Sequence, residues 1–484
     1  MSFTWLIFLL FFLPVFMIVY LIMPDTKKRN IVLFVFSLIF YLFGGLKYLI
    51  LILFMGFLGY LFGRLIGANV RESKSTAKFY LVLSVIIFIA VLCIFKYMDF
   101  ILGNLGKVFD NVEPLNIVLP LGISFYVFKL ISYVADVYRE DVLPEKSLLV
   151  FFTYIMTFHQ VLQGPIVRYK DMRTDLHKRA VRREALASGL FRFVIGLFKK
   201  AVLADYCGTL ASTLAPMNEN IANSPTLGIW LGAILFSVQL YLDFSAYSDM
   251  AIALGTMCGF HYPENFNFPY AAISVRDFWR RWHISLSTFF RDYVYIPLGG
   301  SKCSSARTTL NLLVVWALTG FWHGAGWNFI LWGLYYFVFI VIENAVRKRQ
   351  SAPKKDAGGP HILGRIYALL VINFGWVLFR FTDFSVLGTA IKGLFGGTAA
   401  KAGFTSFTVA TTVQNNIFFI VFALLFSTPL FKKIDDAFVR ARDDGRVPYA
   451  VFYLVRAGIA AVCLVLSIIA IAGGTFQAFL YNTF

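Results

Sequence analysis

Two histidines sit in surroundings suited to acid–base chemistry. His323 lies in GFWHGAGWN, inside an apolar run at 308–346, and ionisable residues in such runs usually line a cavity or a pathway. Gly320, Gly324 and Gly326 remove side chains around it, which favours close helix packing or passage of a ligand. The plainer alternative is a histidine hydrogen-bonded between helices. His283 lies in a second polar stretch, 259–300. The chain has six histidines, and neither of these follows HExxH or another metal spacing, so no metal is expected. A neutral imidazole is the usual general base near pH 7, and burial keeps it neutral. With no GxSxG elbow and no Ser-His-Asp order, a base acting directly on an acceptor hydroxyl is simpler than a covalent serine route.

The stretch around His283 opens with proline, asparagine and aromatics and then turns helical. Ser274 followed by Asp277 resembles a capping box. Val275, Phe278, Trp279, Trp282, Leu286, Phe289, Phe290 and Tyr293 then fall on one stripe, which predicts a single amphipathic helix over 274–293. Arg276, Arg280 and Arg291 gather on one flank, with His283 at the boundary. Such a helix either lies in the membrane interface or turns its basic flank inward to hold a phosphate-bearing donor. A third intrusion, QLYLDFSAYSDM, places Asp243 and Asp249 in the run 227–258. Buried carboxylates need partners, of which Arg280 is one candidate, and orienting is favoured here over reacting.

These residues must be positioned by an apolar scaffold. Of 484 residues, 59% are hydrophobic and 14% charged, with a mean hydropathy of +0.73. Soluble domains carry about 25% charge, so the composition indicates one polytopic membrane domain rather than a soluble enzyme. Runs of spanning length occupy 3–22, 31–66 (broken at Gly44-Gly45), 79–96, 115–138, 190–210, 227–258, 308–346 (two), 362–381, 413–431 and 449–472. Residues 3–22 exceed a signal-peptide core and lack a basic lead, so they read as the first retained helix. Five scattered cysteines offer no CxxC spacing.

The loops 24–30, 64–78, 168–183, 347–365 and 432–446 hold 25 Lys/Arg against 9 Asp/Glu, nearly all of the net +18. Short basic loops mark the cytoplasmic side, so the charge reports topology, and nucleic acid drops out as a partner. Loops 64–78 and 168–183 share a side only if one intervening run fails to cross. The weak run 147–163, with His159, Gln160 and Gln163, is expected to be that re-entrant element. The chain then ends outside.

The blocks DFSAYSDMAIALG, NFNFPYAAISVRDFWRRWHISLSTFFRDYVYIPLGG and TGFWHGAGWN resemble the membrane-bound O-acyltransferase family. FLLFFLPVFMIVYLIMP, RNIVLFVFSLIFYLFGG and GPIVRY at 164–169 are similar to its bacterial branch acting on alginate, peptidoglycan or cellulose. The resemblance covers most of the chain and is weaker over 380–475. It implies an all-α polytopic fold over 1–484, with about ten or more transmembrane helices and re-entrant or interfacial helices around a central tunnel. It makes His323 the catalytic histidine in that tunnel and His283 the second signature histidine, on the cytoplasmic side. Acetyl-CoA is the implied donor, with Arg276, Trp279, Arg280, Arg281 and Asn328 as its expected contacts. An extracytoplasmic acetyltransferase partner and a polysaccharide acceptor are implied as well, at the bacterial cytoplasmic (inner) membrane, among membrane lipids.

The last six residues, 479–484, read FLYNTF. This FxYxxF pattern is similar to the C-terminal motif of a small companion subunit in teichoic-acid D-alanylation, which makes Tyr481 an expected acyl acceptor. The alternative is an interfacial aromatic end. Two other functions share these features: transfer of D-alanyl or a longer acyl group, and a polytopic transporter or flippase.

Overall fold

The computed structural model describes residues 2–349, 361–397, 406–474 and 479. Their regular structure is helical, and they sort into two compact units interleaved along the sequence. Seven helices among them are long and apolar enough to cross a membrane: Leu46–Asn69, Lys74–Leu105, Thr226–Met257, Trp327–Arg347, Ile362–Arg380, Thr408–Phe426 and Tyr449–Ala472. Shorter apolar helices accompany them, as in a polytopic membrane protein.

The first unit comprises Met1–Phe193, Tyr247–Glu264 and Ser285–Pro297. It carries α1 (Leu13–Ile22), α2 (Thr26–Leu42), α3 (Leu46–Asn69), α4 (Lys74–Leu105), α5 (Ile123–Tyr138), α6 (Leu148–Met156), α7 (Tyr169–His177) and most of α8 (Arg183–Phe198). The expected break falls between α2 and α3, where Gly45 has φ +111°, a conformation open to glycine and few others. The run expected from 115 forms helix only from 123. Pro120 has no N–H to give a helix, and the Asp99 carboxylate accepts the N–H groups of Leu115 and Ile117 instead.

The run 147–163 yields only α6, whose nine residues rise about 14 Å, under half of the hydrocarbon thickness of about 30 Å. Residues 157–167 follow it buried and without helix. Protein groups satisfy this segment, as backbone at that depth requires. The Lys129 ammonium donates to Tyr154 O and Gln160 Oε1, Ser37 Oγ accepts from Phe158 N, and Ser285 Oγ accepts from Ile166 N. Asp249 pairs here with Arg192, which also binds Glu264.

The second unit comprises Val194–Ala246, Asn265–Ile284 and Leu298–Phe484. Helical bonding runs from α8 through a π turn, Lys199–Ala204, into α9 (Asp205–Leu214). After α10 (Thr226–Met257) come two short helices, α11 (Val275–Arg281) and α12 (Ile284–Phe290). They are followed by α13 (Ser305–His323), α14 (Trp327–Arg349), α15 (Ile362–Arg380), α16 (Phe384–Leu394), α17 (Ser406–Phe426), α18 (Leu430–Asp443) and α19 (Tyr449–Ala472). The basic segment 432–446, expected as a loop, is largely α18. Its Asp435 pairs with Arg456 of α19, and Arg442 lies over the Phe452 ring.

Candidate functional site

The run 308–346 folds as a helical hairpin, and His323 is the last residue of its first arm. Gly324, the C-cap, turns extended, and α14 begins three residues later. The arms meet at Gly320 and Gly333. A Cβ on Gly320 would come within 2.5 Å of the Phe329 carbonyl, and one on Gly333 within 2.5 Å of the Trp316 carbonyl. Small residues at such contacts let helix backbones close up. His323 is thereby enclosed at 4% exposure. Its ring centroid lies 4.9 Å from Trp322, 4.7 Å from Trp332 and 5.3 Å from Phe379, all steeply tilted or edge-on. Asn328 Nδ2 donates to Phe379 O at 3.2 Å, pinning α14 to α15 beside the imidazole.

The segment 274–293 is not one helix. α11 starts as expected, Ser274 Oγ accepting from Asp277 N, but it stops at Arg281, and His283 takes φ +43°. The preceding NFNF segment makes the break: Asn267 N donates to Arg281 O and Ile284 N to Asn265 O, each at 2.9 Å. Helical periodicity carries no signal of such a clamp, and the continuous arginine flank expected over Arg276, Arg280 and Arg291 dissolves with it. His283 Nδ1 is 3.1 Å from Asn265 Oδ1. An amide oxygen accepts, so Nδ1 carries the proton and Nε2 the lone pair. The ring also packs edge-on against Phe244 at 4.7 Å and lies 5.7 Å from Trp322. At 1% exposure, burial pushes its pKa down from 6.5 to about 3, keeping it neutral.

A third group was not expected from the sequence. The Lys200 ammonium lies 2.6 Å from Asp205 Oδ1 and 2.6 Å from Asp243 Oδ1, all three side chains buried. Asp243 thus pairs with a lysine and not with Arg280, which is exposed. The available signal was the pair Lys199-Lys200 inside the apolar run 190–210, five residues before Asp205. Phe479 lies buried against this cluster, with Lys200 Nζ 4.7 Å from its ring centroid. Through Asp243 and its neighbour Phe244, the cluster adjoins His283.

The expected donor contacts are dispersed. Arg276 Nη1 bonds Asn344 and its backbone N–H meets Glu343, while Arg281 is paired with Asp277 at 3.0 Å. Trp279 belongs to an aromatic cluster with Trp316, Trp332 and Tyr336, the nearest centroid at 4.9 Å. Asn328 lies at the other end of that cluster, beside His323. Tyr481 falls outside the described residues. The unit therefore brings His323, His283 and Asn328 together through Trp322, Trp332 and Phe379, and leaves Arg280 at the surface. An enclosed imidazole beside small-residue backbone can, in its neutral form, take a proton from a hydroxyl as it attacks an acyl carbon.

A model of the membrane-bound O-acyltransferase family matches residues 142–381, which contain both histidines. Relatives match over most of the chain. A probable alginate O-acetylase AlgI of Azotobacter vinelandii is 37% identical over 438 residues, covering 88% of this chain and 85% of its own. The chain belongs to the membrane-bound O-acyltransferase family. A peptidoglycan O-acetyltransferase of Helicobacter pylori is 33% identical, over 81% of this chain and 79% of its own. A teichoic acid D-alanyltransferase of Bacillus subtilis is 32% identical over a shorter stretch, 56% of this chain and 70% of its own. This O-acyltransferase is thus a multi-pass membrane enzyme, and the transporter alternative gives way to acyl transfer.

Proposed function

We propose that this O-acyltransferase moves acetyl from cytoplasmic acetyl-CoA across the inner membrane for O-acetylation of an exported or cell-surface polysaccharide. Relatives matched over about four-fifths or more of the chain include ones named for alginate and for peptidoglycan acetylation, which favours acetyl. The D-alanyltransferase match, over a shorter stretch, makes D-alanyl the second reading. In the mechanism, acetyl-CoA enters at the cytoplasmic mouth, where exposed Arg280 and half-buried Arg276 meet its phosphates. His323 acts as general base, taking the proton of an acceptor hydroxyl as oxygen attacks the thioester carbon and coenzyme A thiolate leaves. His283 stays neutral, with Nε2 able to accept a hydrogen bond.

The acceptor is Tyr481, from which an extracytoplasmic partner acetyltransferase passes the group to a saccharide hydroxyl. The observation that carries this reading is Phe479: the first aromatic of the FxYxxF tail is buried on Lys200, in the unit that holds His323. A purely interfacial aromatic end would leave that ring in lipid. Intact-mass analysis after incubation with radiolabelled acetyl-CoA tests it. The wild-type chain is expected to gain one acetyl group and the Tyr481→Phe variant none. A Tyr481→Phe chain that still gains a stable acetyl group and supports transfer defeats the tail as carrier.

A further inference from the structure

The end of α15 carries a buried charge with no counter-ion among the described residues. Arg380 is 7% exposed. Its Nη2 reaches Ser212 Oγ only at 3.5 Å, the limit of hydrogen bonding. The guanidinium carbon lies 5.0 Å from the Phe236 ring centroid and 5.6 Å from that of Phe381. Nε and Nη1 are buried and meet no acceptor among the described residues. A guanidinium does not deprotonate in proteins, and two aromatic faces do not replace the hydration it has lost. It calls for an oxyanion.

Arg380 borders a small cavity between α9, α10, α15 and α16, walled otherwise by apolar residues that include Ala215, Ala233, Phe236, Phe381 and Ala390. The space suits about one water-sized group, such as a single phosphate oxygen. Its depth follows from α15, a span of 19 residues. Such a helix is about 28 Å long, close to the hydrocarbon thickness of about 30 Å. Arg380, its last residue, therefore lies at the edge of the hydrocarbon, next to the headgroup region, at the end opposite the basic segment 347–365. An arginine at that level can meet a lipid phosphate oxygen through charge-assisted hydrogen bonds.

We propose that Arg380 and this cavity form a phospholipid site, in which the guanidinium holds the phosphate through the N–H groups that no described residue accepts. The bound headgroup braces the end of α15 one residue from Phe379, whose ring packs against His323.

The test uses the full chain in mild detergent, delipidated and titrated with phosphatidylglycerol, with retained lipid read by native mass spectrometry. The wild type is expected to hold one lipid, and Arg380→Gln to bind it about tenfold more weakly, as loss of a charge-assisted bond implies. Ala390→Leu keeps the charge but fills the cavity, and is expected to lose lipid as well, which covers the case where Arg380→Gln does not fold. Inorganic phosphate at millimolar concentration should not displace the lipid. Equal retention by wild type and both variants overturns the site. Phosphate binding with no preference for the lipid overturns the lipid as its source.

Discussion

His283 and His323 share one indole. Trp322 lies 5.7 Å from the first ring and 4.9 Å from the second, centroid to centroid. The two imidazoles come from different local devices, a clamped helix break and a helical hairpin, and meet on the residue that precedes one of them in sequence.

Replacing His323 by alanine removes the proposed base and leaves the Gly320–Gly333 contact intact. Acyl transfer should fall by about 100-fold to 10,000-fold, far more than the loss of thermal stability from the space the ring vacates. Undiminished transfer from radiolabelled acetyl-CoA by a folded His323→Ala protein would remove His323 from the mechanism.

The low pKa of His283 predicts acid sensitivity with a definite sign. The folded state holds the ring neutral down to about 3, whereas an unfolded chain protonates it near 6.5. Between those values the unfolded state binds more protons, so stability falls as pH drops from 6.5 toward 3 and is flat with respect to this group above 6.5. Asparagine tolerates positive φ, so His283→Asn should fold and lose part of that slope. Melting both proteins at pH 7.5 and pH 5 decides it, and identical slopes would place the acid sensitivity elsewhere.

Lys200→Met leaves the Asp205 and Asp243 carboxylates buried together without their cation. Breaking a buried ion pair from one side costs about 3–5 kcal/mol, so the variant should lose most of its thermal stability. Neutralising both acids as well, in Lys200→Met/Asp205→Asn/Asp243→Asn, should recover much of the loss. A triple variant no more stable than the single would show that the charges are not what binds the cluster.

Phe479→Ala should lower acetyl incorporation into the chain and, because the ring is buried, lower the thermal midpoint as well, at a cost of up to about 3–5 kcal/mol. Phe479→Tyr, which keeps a ring for Lys200, should restore incorporation. Intact-mass stoichiometry over time reads both, and equal incorporation by Phe479→Ala would detach the tail from this cluster.

Gly320→Ala puts a methyl 2.5 Å from a carbonyl oxygen on the facing helix. The hairpin must spread, at a cost of about 1–3 kcal/mol, and His323 moves with it. Transfer should fall more than stability does. A variant with wild-type turnover would mean that the hairpin tolerates spreading without displacing the imidazole.

Much of the scaffold was legible because hydrocarbon enforces simple rules. Tyr449–Ala472 coincides with its apolar run, the α2–α3 break sits at Gly44-Gly45, and nine-residue α6 accounts for the odd run at 147–163. His323 was legible for the same reason, as an ionisable group amid apolar neighbours. What escaped were features set by tertiary contacts. The stripe through Val275 and Tyr293 has helical spacing, yet backbone bonds from Asn265 and Asn267 interrupt it. The partner of Asp243 lies 43 residues earlier in the chain, at Lys200, and pairing across that distance leaves no periodic trace. Nothing in the spacing around Arg380 distinguishes it from any other charge at the end of a span.

The placement of His323 at the very end of α13 has an electrical consequence. The carbonyl groups of a helix's last turn point beyond its C-terminus with no intrahelical donors, and their aligned dipoles amount to about half a negative charge there. A neutral imidazole at that position interacts with them less strongly than an imidazolium does. Once it has taken a proton the interaction becomes stronger, so the backbone favours the charge that arises during transfer over the state that precedes it.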